Sequence, residues 1–351
     1  MPNLSASDVG KANAARSTIV TGAAGWLGKN LVRTLASAGG RVRCLVNDRD
    51  EAALLEVISP RIEVTVGDLR DPVAVTRLFE EGGGATVFHA GAVIHPRSRT
   101  REIFDVNVGG TEHVLDRARR AGVERLVFVS SNSPFGANPT PFDRFTEDSP
   151  YNPYLSYGAS KREAEQLVFR THERGDVDCV VVRAPWFYGP FQPDRQSTFF
   201  AAIRRGRFPL VGPGTQQRSM VYTGNLVDGL LLAASVPEAS GRAYWIADAD
   251  PYPLREILLT VRHALVAEGL EVTSFEPRIP RAGAQLAAAA DAFLQGRGRY
   301  VQALHVLGEL KDTIACDIGR ARKELGYDPA VGLLEGMRAS IRWCVAHGQS
   351  I

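Results

Sequence analysis

Two rhythms of apolar residues alternate along the first half of the chain. Residues 18–21, Thr-Ile-Val-Thr, form a short β-branched run, and Leu27, Leu31, Val32 and Leu35 then recur at helical spacing. The exchange repeats. Residues 41–46 read as a second strand, before a charged turn and a helix from about Asp50. Residues 61–66 alternate as a third strand ending in Gly67-Asp68. The helix after it has Asp71 as its cap and Pro72 in its first position. Residues 86–90, 125–130 and 178–183 read as three further strands, separated by helices over about 101–120 and 154–171. Strands that alternate with helices predict an α/β fold, a doubly wound parallel sheet covered on both faces. Such sheets hold ligands at the carboxyl ends of their strands, so the residues just after each strand are the candidates.

Past Pro190 the rhythm breaks. Residues 191–217 are rich in Pro, Gly and Arg, and strand character returns at 218–222 and 243–246 around a helix at 225–235. Helices near 254–268, 282–304, 318–325 and 332–347 close the chain. This predicts a disordered polar tail over 1–15 and a main domain over 16–190, to which 218–246 contribute. Residues 191–217 and 247–351 form a smaller, mostly helical C-terminal substrate lobe. Within that lobe Leu286, Ala290, Phe293, Leu294, Tyr300, Leu304 and Leu307 either line an apolar pocket or pack the lobe.

Composition narrows the function classes. The 351 residues carry a formal net charge of +2, and no Lys/Arg run is dense enough for a nucleic-acid face. The cysteines (Cys44, Cys179, Cys316, Cys344) are scattered without a C-x-x-C, and the histidines are dispersed, so neither a disulfide frame nor a metal site is indicated. The first fifteen residues lack the apolar core of a signal peptide, and no apolar run is long enough to span a bilayer. The expectation is a cytoplasmic protein with a small-molecule substrate and no nucleic-acid partner.

Gly22, Gly25 and Gly28 stand between the first strand and its helix. A strand that feeds a helix through glycines brings backbone N–H groups and the positive end of the helix dipole to one point, which suits a dinucleotide's pyrophosphate. A Cβ there would forbid the turn or hold the phosphates away. A second constellation follows the fifth strand. Ser131 ends it, and Tyr157-Gly-Ala-Ser-Lys161 opens the next helix, with tyrosine and lysine one turn apart on one face. An ammonium there would draw the phenol down from its usual value of about 10 toward working pH. Such a phenol exchanges a proton with a carbonyl or alcohol, and the Ser131 hydroxyl holds the substrate oxygen. The chain has only five lysines (Lys11, Lys29, Lys161, Lys311, Lys323) and uses arginine for almost every other cation. Lysine at 161 therefore marks a place where a compact ammonium is wanted.

Taken together, these segments resemble the extended short-chain dehydrogenase/reductase family. The likeness is carried by Thr21-Gly-Ala-Ala-Gly-Trp-Leu-Gly28, Gly67-Asp-Leu69, Val87-Phe-His-Ala-Gly-Ala92, Asn107-Val-Gly-Gly-Thr111, Ser130-Ser131, Tyr157 to Lys161 and Arg183 to Pro190. Residues 218–226 and 325–329 extend it over nearly the whole chain. The resemblance implies a Rossmann domain and NAD or NADP as cofactor. Gly22, Gly25, Trp26, Leu27 and Gly28 would line its pyrophosphate, and Asp68 and Leu69 its adenine. Ala90, Gly91 and Ala92 would pass along it, Asn107 would lie beside it, and Pro185 and Phe187 would border the nicotinamide. Ser131, Tyr157 and Lys161 would be catalytic, with Lys161 also bonding the nicotinamide ribose. Ser133, Trp186 and Arg218 would face substrate, and a homodimer would form on the helices around 101–120 and 154–171.

Two departures matter. After the second strand, Asn47 replaces both the acidic residue that holds a ribose 2′-hydroxyl and the arginine that takes a 2′-phosphate, so NAD and NADP both stay open. Asn132-Ser133 stands where sugar dehydratases of similar sequence carry Asp-Glu, which lowers elimination in rank. The leading expectation is an oxidoreductase of a secondary alcohol or ketone in a lipophilic or cyclic substrate. The alternatives are a nucleotide-sugar 4-epimerase with tightly bound NAD and a catalytically silent cofactor-binding regulator.

Overall fold

The computed structural model describes residues 17–96 and 99–351, so the tail expected over 1–15 lies outside the described residues. Seven parallel strands make one sheet in the order β3-β2-β1-β4-β5-β6-β11. They are β1 (Thr18–Thr21), β2 (Val42–Val46), β3 (Ile62–Val66), β4 (Thr86–His89), β5 (Arg125–Ser131), β6 (Cys179–Ala184) and, much later, β11 (Ala243–Trp245). Because successive strand residues point to opposite faces, each strand feeds two cores. In β1, Val20 packs with α1 (Trp26–Ser37) and α7 (Thr223–Ser235) through Leu31, Leu35, Leu226 and Leu230. Its neighbour Ile19 packs on the other face with Val75 and Leu78 of α3 (Pro72–Leu78) and with Val114, Ala164 and Val168. Those last three belong to α4 (residues 101–121) and α5 (Leu155–Glu173). Helix α2 (Arg49–Glu56) follows β2, with Asp48 as its cap. The strand order reverses between β1 and β4, and that switch point opens a crevice at the strands' carboxyl ends.

A third core holds the rest: Phe200 and Ile203 of α6 (Asp194–Arg204), Leu254 and Ile257 of α8 (Leu254–Ala267), and Met337 and Ile341 of α11 (Leu333–Ala346). Short strand pairs brace it: β7 (Trp186–Tyr188) with β10 (Met220–Tyr222), β8 (Leu210–Val211) with β13 (Arg278–Ile279), and β9 (Gln217–Arg218) with β12 (Tyr252–Pro253). Three expectations change here. The Pro/Gly/Arg-rich stretch 191–217 contains α6, which Asp194 opens just after Pro193. The strand expected at 218–222 is two short strands, β9 beside β12 and β10 beside β7. The helix expected over 282–304 is two: α9 (Arg281–Gly296) and α10 (Gln302–Glu309). Between them Gly298 takes a φ of +74°, a backbone conformation that only glycine adopts without strain.

Candidate active site

The glycine turn is as tight as its spacing implies. Gly22 has φ +69°, and a Cβ on it would stand 2.7 Å from the backbone of Ala90 and Gly91 at the end of β4. A Cβ on Gly28 would stand 2.1 Å from the Gly22 carbonyl oxygen. Gly25 caps α1 with no side chain, so the first-turn amides of Trp26, Leu27 and Gly28 keep their N–H groups for a ligand. Gly91 donates its N–H to Thr21 Oγ1 at 3.2 Å, which draws the end of β4 against the turn. A Cβ on Gly91 would meet Leu69 Cδ1 at 2.6 Å, so Leu69 forms the floor under the residue 90–92 segment. This cradle of backbone amides fits a dinucleotide pyrophosphate.

Several side chains expected at the cofactor make hydrogen bonds within the protein. Trp26 Nε1 donates to the Pro190 carbonyl at 2.9 Å, and its ring packs edge-on against Phe187, centroids 4.9 Å apart. Asn47 spends both its backbone and its side-chain N–H groups on Glu51, at 2.8 and 3.1 Å. Asp68 holds Arg70 in a fork at 2.9 and 2.6 Å, and that guanidinium keeps its carboxyl below the usual range. Asn107 accepts from Val93 N at 2.7 Å and donates to the Val93 carbonyl and to Ser160 Oγ, both at 3.0 Å. It lies in a π-helical turn, Asp105–Gly109, inside α4. A side chain with all these valences used acts as a clamp between the β4 loop and α5.

Of the residues read as catalytic, Ser131 and Tyr157 meet at the carboxyl end of β5, with Lys161 one turn further along α5. Ser131 is the last residue of β5, paired in register with Ala184. Tyr157 stands in the first turn of α5, half-buried. Gly158 makes the approach possible, since a Cβ on it would meet the Ser133 carbonyl oxygen at 2.3 Å. Burial pushes the Tyr157 phenol up to about 12, and the Ser131 side chain offsets part of that shift. The expected lowering by Lys161 is absent. Lys161 is 2% exposed and donates to the Val129 carbonyl at 2.7 Å, with its ammonium 4.1 Å from the centre of the Phe128 ring. Burial pulls Lys161 down to about 7, against the carboxylate of Glu165. Desolvation of both groups therefore outweighs their mutual attraction.

A closed polar network fixes this pair. Fully buried Glu165 takes Arg183 NH2 at 2.9 Å and the Tyr151 hydroxyl at 2.8 Å. His89 bridges Thr21 Oγ1 at 2.6 Å and Thr111 Oγ1 at 2.9 Å, and burial pushes it down to about 3, so it is neutral. Thr111 donates to the Asn107 carbonyl at 2.6 Å, and Ser160 donates to the Tyr157 carbonyl at 2.8 Å. The glycine turn is thus linked to the Tyr157 backbone through side-chain hydrogen bonds. Thr21, His89, Thr111 and Ser160 carry no signal of this role in the local sequence pattern.

On the substrate side, Ser133 Oγ lies 3.3 Å from Ser131 Oγ, and Trp186 packs edge-on against Phe199, centroids 5.0 Å apart. Pro185 is buried between β6 and β7. Arg218 is 9% exposed and donates to the Glu309 carbonyl, with the charges of Glu309 and Asp312 nearby. One of its guanidinium nitrogens is thus engaged within the protein, while Nε is buried without a partner among the described residues. A group the sequence did not reveal roofs the site. Tyr154, just before α5, packs against His305 of α10, and His305 binds buried Asp291 of α9 at 2.9 Å. His95, from the loop after β4, meets the Tyr300 hydroxyl at 2.6 Å. The Tyr154 hydroxyl is buried with no partner among the described residues. No local spacing could signal this group, since His95 and Tyr300 lie 205 positions apart.

Residues 18–247 match the model of the NAD dependent epimerase/dehydratase family. The protein y4nL of Sinorhizobium fredii is 42% identical over 95% of this chain and 96% of its own length. The 4-hydroxy-2-methyl-3-oxo-4-farnesyl-3,4-dihydroquinoline-1-oxide ketoreductase of Stigmatella aurantiaca is 32% identical over 92% of this chain and 95% of its own. The structure of epimerase Mth375 from Methanothermobacter thermautotrophicus superposes with a TM-score of 0.77 at 23% identity, covering 99% of this chain and 97% of that one. The chain belongs to the NAD-dependent epimerase/dehydratase family, within the extended short-chain dehydrogenases/reductases.

Proposed function

We propose that the chain is an NAD-dependent oxidoreductase that interconverts a secondary alcohol and a ketone in a lipophilic substrate. The observation that carries this reading is the meeting of Ser131 and Tyr157, with Lys161 one helical turn further on, beside a glycine cradle that fits a dinucleotide. Trp26, Leu27 and Gly28 would hold the pyrophosphate through backbone N–H groups, and the nicotinamide supplies or accepts the hydride. Tyr157, held protonated by burial, donates its proton to the carbonyl oxygen as charge develops there. Ser131 steadies that oxygen by hydrogen bonding. Lys161, close to neutrality, bonded to the Val129 carbonyl and one turn along α5 from Tyr157, would return a proton to the phenol and keep the site's charge balanced.

Glu51 supports NAD over NADP. Its carboxylate sits against Asn47 at the end of β2, where it would repel a 2′-phosphate, and Arg70 is already paired with Asp68. The lipophilic reading is favoured over a nucleotide-sugar epimerase because the ketoreductase relative, 32% identical over 92% of this chain, acts on a farnesylated quinoline by its name. The test follows nicotinamide absorbance with the purified protein, NADH and a panel of alkyl, polyprenyl and steroid ketones, beside UDP- and dTDP-sugars. Net oxidation of NADH with a lipophilic ketone is expected. Sugar epimerisation without net NADH consumption overturns the reading.

A further inference from the structure

The solvent side of α9 is unlike a water-facing helix. Its exposed positions include Ala282, Leu286, Ala289, Ala290, Ala292 and Phe293, and no exposed position between 282 and 296 is charged. Leu286 is 73% exposed and Phe293 60%, so the sequence-based alternative of a pocket wall fails for both. Val301 and Val306 continue the apolar surface along α10. Around α9 the charges lie at its ends, and they are of one sign; Glu309, which closes α10, lies beside His305 and Arg218. Arg281 stands at one end of α9, with Arg297 and Arg299 at the other, and none of the three makes an ion pair among the described residues. Between residues 277 and 308 the only acidic side chain is Asp291, which is fully buried against His305. Arg297 lies over the Phe293 ring, 3.8 Å from its centre, which joins the cationic rim to the apolar face.

We propose that the α9–α10 hairpin docks this protein on the surface of an anionic lipid bilayer. Sixteen residues at 1.5 Å per residue give α9 a length of about 24 Å, enough to lie in the interfacial plane as amphipathic helices do. Leu286 and Phe293 enter the acyl boundary, and the arginines meet lipid phosphates. The apolar side alone would suit a second copy of the chain equally well. The unpaired arginine rim favours the bilayer, because two such rims brought together would repel. The hairpin's inner side carries Tyr300 and His305, which touch His95 and Tyr154 at the roof of the site. A substrate dissolved in the bilayer would therefore arrive beside Tyr157. That last step rests on the proposed function; the docking does not.

The test is co-sedimentation of the full chain with vesicles of phosphatidylglycerol and phosphatidylcholine, and of phosphatidylcholine alone, at low and physiological salt. Wild-type protein is expected on the anionic vesicles, less so as salt rises. The partition coefficient should fall at least tenfold in Leu286→Glu/Phe293→Glu and severalfold in Arg297→Gln/Arg299→Gln, with unchanged circular dichroism in both. Absence of wild-type protein from anionic vesicles overturns the proposal, as does full retention of both variants. So does sedimentation velocity showing a wild-type dimer that Leu286→Glu/Phe293→Glu splits while vesicle binding is unaltered. Turnover of the lipophilic ketone panel in detergent solution, without vesicles, is read separately, so vesicle binding without turnover rejects the oxidoreductase reading and leaves the docking intact.

Discussion

The two sides of the crevice are built on opposite plans. On the nucleotide side, polar side chains form a closed chain from Thr21 through His89, Thr111, Asn107 and Ser160 to the Tyr157 backbone. On the roof side, the Tyr154 hydroxyl and Arg218 Nε are buried without partners among the described residues, and the hairpin above them turns leucine and phenylalanine toward solvent. Buried polar groups are costly to leave unpaired, so the first side is fixed before any ligand arrives. The second keeps donors open to whatever enters. One half is set for an invariant cofactor, the other left adjustable for a substrate.

Tyr157→Phe is the hardest test of the fixed side. It removes one hydroxyl and no packing, so the turnover number should fall about 10²- to 10⁴-fold. NAD binding, followed by fluorescence, should stay within about twofold of wild type. Unchanged turnover would remove the proposed proton donor. Gly28→Ala attacks the cofactor instead. Its Cβ would need the space of the Gly22 carbonyl oxygen, 2.1 Å away, so the turn must open. NAD should then bind about a hundredfold more weakly, the scale of a few displaced hydrogen bonds.

Asn107→Ala probes the clamp without touching the reacting atoms. It strands the Val93 N–H and loosens Ser160, which should cost about 2–3 kcal/mol in urea unfolding. The same network sets a pH test. His89 falls from 6.5 in the unfolded chain to about 3 in the fold, so the unfolded chain binds the proton first as pH drops. The stability it contributes is whole above 6.5 and is lost as pH falls toward 3. Its ring resonances should stay flat from pH 8 to 5; a midpoint near 6.5 would show the core open to water. Glu51→Gln should act more gently, narrowing the preference for NAD over NADP about fivefold in kcat/KM.

The fixed side was also the legible side. Glycine spacing, a strand before and a helix after made the turn readable from Thr18 to Leu35, because the backbone tolerates few residues there. Tyr157 and Lys161 were readable because four positions on a helix place two side chains on one face. Their electrostatics were not: the sequence offers a charge pair, whereas the fold desolvates both members and turns Lys161 toward Val129. The roof escaped for a different reason. His95 and Tyr300 become neighbours only through the path of the lobe, and no local periodicity records that. The break at Gly298 was missed because a run of alanines and leucines continues a helical pattern across it.

The contact between His95 and Tyr300 is the finest place to separate the two sides. Burial pushes His95 down to about 4, with Arg195 and His305 adding to the effect, so above pH 5 its ring is neutral. The Tyr300 phenol, pushed up by burial, then donates to Nδ1, and neither partner titrates across the working range. Tyr300→Phe removes this one bond between the lobe and the β4 loop. Its net worth of about 0.5–1.5 kcal/mol corresponds to roughly a two- to tenfold change. If the roof shapes the substrate site, that change should fall on KM for a bulky lipophilic ketone, with kcat and the KM for NADH unaltered. A small ketone that does not reach the roof should show no effect. The KM ratio between variant and wild type should also stay constant from pH 5.5 to 8.5. A ratio that collapses near pH 6.5 would mean that His95 is solvated and charged, the hairpin stands away from the β4 loop, and the roof closes only on substrate.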